Sequence, residues 1–436
     1  MKKILLPLTA LLFAALPAMG ARLVVTVTND TGMARPAETI AVPFAQILQM
    51  LDPAHANAQY WMRAGSNIPE VRFDNLLVRD STGKEITSQV TNLDTKGGRN
   101  YAYNDLLFQH DFAAGEKSAT FTIETVATQV GPYPSKVYCR FVPDRLDDFA
   151  WENDLIAHRI YGPGLEDPTR TTPQTDLMPV GGSGIDVWSK RFPYFVIDRW
   201  YGKDHDALHT DTGEGLDMYE TGQARGDGGI GVWDAANKTL YVSHDFRTWS
   251  VMANGPIRAE FNLGYSAWDA GNGVTVAENK RITLDAGQYL NEIESTFTIT
   301  GADEVTIGVG LTRHTNRGET TNIVPMNNEK NFWESLWETY PANKGELGVG
   351  VVLAPDAQFA GFAQSQNNAP VSRGLRPDDL ILAKVKNGET LRYYTGAAWD
   401  QLGPVKSADE WNAYLASWAE RLRNPVKVSV ALEGAK

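Results

Sequence analysis

Alternation of apolar and polar residues at a period of two runs through most of this chain, and it confines the fold to sheets. "RLVVTVTND", "EVRFDNLLVRD", "KSATFTIETV", "KTLYVSHDF", "GPIRAEFNLGY", "NKRITLDAG", "NEIESTFTIT" and "EVTIGVGL" all carry it and are rich in Val, Ile, Thr, Phe and Tyr. That is the pattern of strands with one buried face. Turn sequences separate them: "NDTG", "DSTGK", "AAGEK", "AGNG" and "KNGET", the last holding an Asn387-Gly388 hairpin pair. No internal repeat and no low-complexity linker divides the chain. The spacing predicts an all-β protein, a large antiparallel β-sandwich over residues 21–436. A smaller N-terminal β region over 21–148 is the alternative division.

Helices are few. "VPFAQILQML", residues 42–51, reads as one. "NEKNFWESLWETY" places Phe332, Leu336 and Tyr340 four apart and predicts a second, short one. Near the end, Ser407 and Glu410 form a capping box. Trp411, Tyr414, Leu415, Trp418 and Leu422 then mark one apolar helical face, the signature of core packing.

The first twenty residues read as a secretion signal. Lys2 and Lys3 precede the apolar "ILLPLTALLFAALPAMG", and Ala18-Met19-Gly20 fits a small-x-small cleavage site. The expected location is periplasmic or secreted, with no stable membrane insertion after cleavage. Cys139 is the single cysteine, so no internal disulfide forms, and its strand-like setting "SKVYCRFV" marks it as a small core residue. Net charge is −13, and loss of Lys2 and Lys3 takes it to −15. Such a balance argues against nucleic acid and anionic membranes as partners.

Chemistry-bearing residues concentrate between Trp151 and Pro256. Trp and Tyr rings stack on sugar faces, while carboxylates, Asn and Arg bond hydroxyl and carboxyl groups. An oligosaccharide or polysaccharide is therefore the expected ligand. Trp151, Asn153, Asp154, Asp186, Trp188, Arg225 and Trp233 are the candidate substrate-binding residues. In "LHTDTGEGLDMYETGQARGDGGIGVWD", His209 is the candidate base, since an imidazole exchanges a proton near neutral pH. Glu214 and Asp217 are candidates to orient it or act directly, and Tyr219 is the candidate acid. Arg159 is the candidate partner for a substrate carboxylate. His205, His209, Asp211, Glu214 and Asp217 can also be read as ligands of a divalent cation, Ca or Zn, although their spacing matches no standard loop. The glycines at 213, 215, 222, 226, 228, 229 and 231 imply positive φ or close approach of a bulky group, here read as a sugar ring.

"WENDLIAHRIYGP", "SGIDVWSKR" with "VIDRWY", "HTDTGEGLDMYETG" with "GGIGVW", "ANGPIR", "YYTGAAWD" and "RLRNPVKV" resemble an exported bacterial family, domain-of-unknown-function family 4861. The resemblance spans about residues 25 to 432. It implies a sandwich similar to the galactose-mutarotase and polysaccharide-lyase sandwiches, and an association with polysaccharide degradation. His209, Glu214, Gly215 and Asp217 fit the family's pattern, whereas His158 stands where an aromatic is usual.

Three functions follow as alternatives. The first is β-elimination on a uronate-containing oligosaccharide, with Arg159 or Asn153 neutralising the carboxylate, His209 as base and Tyr219 as acid. The second is hydrolysis by a carboxylate pair such as Glu214 and Asp217. The third is carbohydrate binding without catalysis.

Overall fold

The structure, a computed structural model, describes residues 21–53, 71–94, 102–167, 169–170, 182–314, 320–365 and 377–433. The expected signal peptide, residues 1–20, lies outside them. No helix among the described residues is long and apolar enough to cross a membrane. The fold is an all-β sandwich with a few short helices.

The sheets of the described residues enclose separate apolar cores in a smaller and a larger sandwich. The first pairs a four-stranded sheet with a three-stranded one. Leu23, Val25 and Val27 of Arg22–Thr28 turn inward against Phe108, Phe121 and Ile123, while the polar residues between them stay outside. The helix Phe44–Leu51 closes this core with Phe44, Ile47 and Leu48. The last strand, Lys427–Leu432, returns from the far end of the chain to pair with Arg22–Thr28.

The second sandwich is larger. Its eight-stranded sheet runs in the order Thr248–Asn254, Arg258–Asp269, Thr275–Asp285, Leu290–Thr300, Thr390–Trp399, Gly345–Leu353, Trp333–Tyr340, Asn322–Asn328. Two five-stranded sheets share its core. One runs Gly215–Tyr219, Ile185–Lys190, Ala157–Ile160, Asp148–Asn153, Val137–Val142. The other runs Thr239–Tyr241, Asp227–Asp234, Glu304–Thr312, Asp378–Lys386, Gln358–Ser365. A parallel bridge between Ile185 and Gly226 joins them. One continuous core, with Trp151, Val187, Phe261, Ile293, Val309 and Ile381, fills the space between the layers.

The segment expected as a helix around residue 336 is instead the strand Trp333–Tyr340. Leu336 and Tyr340 face the core, whereas Trp333 and Trp337 face the C-terminal helix. Both faces are covered, so apolar residues stand on both sides, and a spacing of four suits a strand as well as a helix. The C-terminal helix, Ala408–Arg423, forms as expected. The Ser407 side chain accepts a bond from the Glu410 N–H at 3.3 Å, and Trp411 and Leu415 are buried against the sheet.

Candidate active site

Period-two geometry sorts the first five-stranded sheet into two faces. Phe149, Trp151, Ile160, Val187 and Leu216 point into the core. Asp148, Glu152, Arg159, Asp186, Trp188, Lys190 and Asp217 take the intervening positions, on the outer face. All seven are nevertheless buried, because the chain after Lys190 folds back over them. Val196, Ile197, Trp200 and Leu208 of that segment pack on Val142, Ala150, Ala157 and Trp188.

Beneath this cover lie two charge assemblies. Lys190 Nζ donates to Glu152 Oε2 and to Asn153 O, both at 2.7 Å. Glu152 also accepts the Val196 and Ile197 N–H groups at 2.9 Å, which fixes the start of the covering segment. In the second assembly Arg159 Nε donates to Asp186 Oδ2 at 2.7 Å, and its fork reaches Asp217 Oδ2 at 3.3 Å and Asp148 Oδ2 at 3.9 Å. The guanidinium lies over the Tyr161 ring at 5.0 Å and the Trp188 ring at 5.4 Å. Two cations thus face four carboxyl groups away from water. Charge burial is costly unless matched, so part of the acid must stay protonated. Burial and the neighbouring Asp186 hold the Asp217 carboxyl well above its usual range. Burial lifts Asp148 to about 6, against the pull of Arg159.

His209 sits at the rim of this face, half-buried. Its Nδ1 lies 2.8 Å from Asp217 O. A carbonyl only accepts, so Nδ1 carries the proton and Nε2 is the basic nitrogen of the neutral ring. Burial raises the Asp186 carboxyl above its usual range, against the pull of Arg159. Glu214, in the same loop, accepts from the Tyr194 hydroxyl at 2.8 Å and from Arg199 at 2.5 Å, with Lys203 at 3.5 Å. Against a burial penalty, those bonds hold its carboxyl below the usual range. Tyr194 stacks on Phe192 at 5.6 Å, 8° from parallel, and both rings remain exposed.

Tyr219 is fully buried, and its hydroxyl donates to Gly226 O at 2.9 Å. Burial keeps that phenol protonated far above its usual range, so it is spent inside the fold and not available as the expected acid. Arg159 is saturated by its three aspartates, which removes it as the expected neutraliser of a substrate carboxylate. Trp151 lies on the core face with its indole donating to Asn291 Oδ1 at 2.7 Å, not in a groove. Asn153 bonds the main chain of Asp285 and Gln288 and pins its own turn. Asp154 accepts the Gly287 N–H. Arg225 bonds Gln223 O and Ile230 O from inside the fold. Trp233 is half-buried on the strand Asp227–Asp234. Asp186 and Trp188 do share the face that His209 borders.

The set read as metal ligands is dispersed. Asp211 is held by Arg191, Glu214 by Arg199 and Lys203, and Asp217 by Arg159 and Trp188. The His205 side chain lies outside the described residues. Among those described, no group of three or more His, Cys, Asp or Glu residues is placed to hold a metal ion. Gly213, at φ +98°, has open space at its Cβ position, but Gly215 and Gly228 have a different reason from the expected sugar contact. Gly215, at φ +114°, would bring a Cβ to 2.0 Å from Ser189 O, and Gly228, at φ +92°, would drive one into Thr395. Their freedom serves close packing against the chain itself. Asp148, Glu152, Lys190, Tyr194 and Arg199 were not singled out from the sequence. The alternation in "DDFAWEN" and "GIDVWSK" carried the signal for the first three, since it sets them on one face with Arg159.

Fold and site together define a large β-sandwich protein whose charged sheet face is sealed beneath an aromatic segment. Residues 27–428 match the family described as Domain of unknown function (DUF4861), and the chain belongs to that family. A relative from Formosa agariphila, "Uncharacterized protein P7", is 34% identical over 368 residues, covering 82% of this chain and 85% of the relative. Among solved structures, a protein in glycosyl hydrolase family 38 from Enterococcus faecalis aligns at 10% identity and TM-score 0.45, over 94% of this chain and 47% of its own. An alpha-mannosidase from Enterococcus faecalis V583 aligns at 10% identity and TM-score 0.43, over 94% and 46%. The chain spans about half the length of those two structures.

Proposed function

We propose that this protein is an exported carbohydrate-active enzyme that cleaves uronate-containing oligosaccharides by β-elimination at the His209 rim. The observation that carries the reading is the imidazole itself. Its Nδ1 is fixed by a main-chain carbonyl, which assigns the basic role to Nε2. Around the same loop stand an exposed aromatic pair, Phe192 and Tyr194, and the cations Arg199 and Lys203. Rings of this kind stack on sugars, and the cations suit a uronate carboxylate. In the reaction His209 takes the proton α to the carboxyl group. The C–O bond at the neighbouring carbon breaks as the C=C bond forms. The leaving oxygen takes a proton from Tyr194, which replaces Tyr219 in that role because its hydroxyl lies at the surface. Burial and Glu214 raise the Tyr194 phenol, so it holds its proton until that step.

Hydrolysis is the second reading. It would use Glu214 of the rim, held ionised below its usual range, as its carboxylate, since Asp186 and Asp217 are sealed beneath the covering segment. Incubation of the mature protein with a panel of soluble polyuronates separates the two. Ultraviolet absorbance from unsaturated ends, lost in His209→Ala and retained in His244→Ala, supports elimination at this rim. New reducing ends without absorbance support hydrolysis. Binding with neither product leaves carbohydrate recognition alone.

A further inference from the structure

In the large sandwich two edge strands leave the layers open. Asn322–Asn328 ends the eight-stranded sheet, and Gln358–Ser365 ends the second five-stranded sheet. Between them lies a cleft of about 510 Å³ whose lining includes Arg313, Pro325, Asn327, Glu334, Phe362 and Asp379. That volume falls within the range of small-molecule sites. Register shows that these residues face inward. Glu334 stands opposite Asn327, Leu336 opposite Pro325, and Ile381 opposite Phe362, and both Leu336 and Ile381 belong to the core.

Its polar groups are of two kinds. Arg313 and Asp379 form a two-pronged pair at 2.8 and 2.6 Å, which cancels both charges and fixes both groups. Glu334 is only 4% exposed, yet its Oε1 has no hydrogen-bond partner among the described residues. A buried polar atom without a partner costs free energy unless something meets it. Burial, with Asp379 beside it, raises the Glu334 carboxyl well above its usual range, against the pull of Arg313 and a bond from the Ile381 main chain. It therefore presents both a donor and an acceptor. Phe362 supplies an apolar wall, backed by Phe359 at 5.3 Å.

We propose that this cleft binds one uncharged, hydroxyl-rich ring, a neutral sugar residue. Its apolar face lies on Phe362 while its hydroxyl groups engage Glu334, Asn327 and the Arg313–Asp379 pair. Hydroxyl groups both donate and accept, so they match a carboxyl that keeps its proton next to an already neutralised pair. An anionic sugar would set its charge against two carboxyl groups with no free cation in the lining. The site is separate from the His209 rim and does not depend on the reaction proposed there.

Calorimetry on the full chain tests this with galactose, xylose and rhamnose as neutral probes and glucuronate and glucosamine as charged ones. Saturable binding of at least one neutral sugar is expected, weakened tenfold or more in Phe362→Ala and in Glu334→Leu. Phe362 is only partly buried, so its variant decides the matter if Glu334→Leu does not fold. His209→Ala must bind the neutral probe like the unaltered protein, which keeps a failure of the elimination reading distinct from a failure of this one. The proposal is overturned by absence of saturable binding to every neutral probe. It is equally overturned by unchanged affinity in Phe362→Ala, or by binding of the charged sugars alone.

Discussion

Two sheets of the main sandwich have part of their outer faces covered, by opposite means. Over the eight-stranded sheet, the helix Ala408–Arg423 lays Trp411 and Leu415 onto Gly348 and Gly350, where even a Cβ would come within 2.6 Å of Trp337 or Leu415. Over the first five-stranded sheet, the chain after Lys190 seals a face of four carboxyl groups and two cations. The first cover is held by dispersion and apolar burial, at no electrostatic cost. The second must offset the desolvation of every charge beneath it, and a well-packed apolar set of the same volume would be as stable or more so. A fold that keeps such a face gives up stability there. This difference is why the chemistry is sought at the charged face and not under the helix.

The largest expected effects compare the two covers directly. Trp411→Ala removes a fully buried indole that also donates to Val349 O at 3.0 Å. Arg159→Met keeps volume but leaves three aspartates without their cation. Each should cost roughly 3–5 kcal/mol in denaturant unfolding. What distinguishes them is pH. The loss in Arg159→Met should shrink toward about pH 4, where the carboxyl groups take up protons, while the loss in Trp411→Ala should stay constant. Equal pH dependence in the two variants would erase the contrast between charged and apolar covers.

Asp148 gives a smaller and more specific effect. Its folded pKa, about 6, lies above the usual value of roughly 3.9. Between those values the folded chain holds a proton that the unfolded chain has released. Stability therefore falls as pH rises through this window, by up to about 1.4 kcal/mol per pH unit from this one group. Asp148→Asn should flatten that slope between about pH 4 and 6. Tm measured across the range checks it, and an unchanged slope would mean that Arg159 keeps Asp148 ionised throughout.

Legibility from sequence followed the same divide. The strands were readable because alternation reports a face that is half in water. The C-terminal helix was readable because its apolar stripe has a wet opposite side. Trp333–Tyr340 reads as a helix because both its faces are buried, and apolar residues on both sides blur the period of two. Trp151 resembled a sugar platform for a related reason: an aromatic residue beside Glu152 and Asn153 looks amphipathic until the sheet shows which side is core. The glycines from Gly215 onward announced close approach, but nothing in a linear sequence tells a ligand from a neighbouring strand. His209 reads as a candidate because a glycine-laced loop concentrates polar groups around it. Tyr194 and Arg199 carry no such signal, because their meeting with Glu214 is made only by the fold.

Arg199 gives the smallest expected change in stability and the sharpest comparison. Its side chain is 62% exposed and pairs with Glu214 at 2.5 Å. An exposed pair of this kind contributes about 0–1 kcal/mol after solvent screening, so Arg199→Ala should barely move the unfolding midpoint. Lys203 and Tyr194 still hold Glu214, so the loop keeps its shape. If the rim receives a uronate carboxylate, the same variant should lose most of its production of unsaturated ends, chiefly through weaker substrate binding. Arg159→Met and Arg199→Ala then form a pair, one arginine that mainly holds the fold and one that mainly holds the ligand. Retention of full activity in Arg199→Ala would move the carboxylate site elsewhere, and a large loss of stability would show that the rim belongs to the structural cover after all.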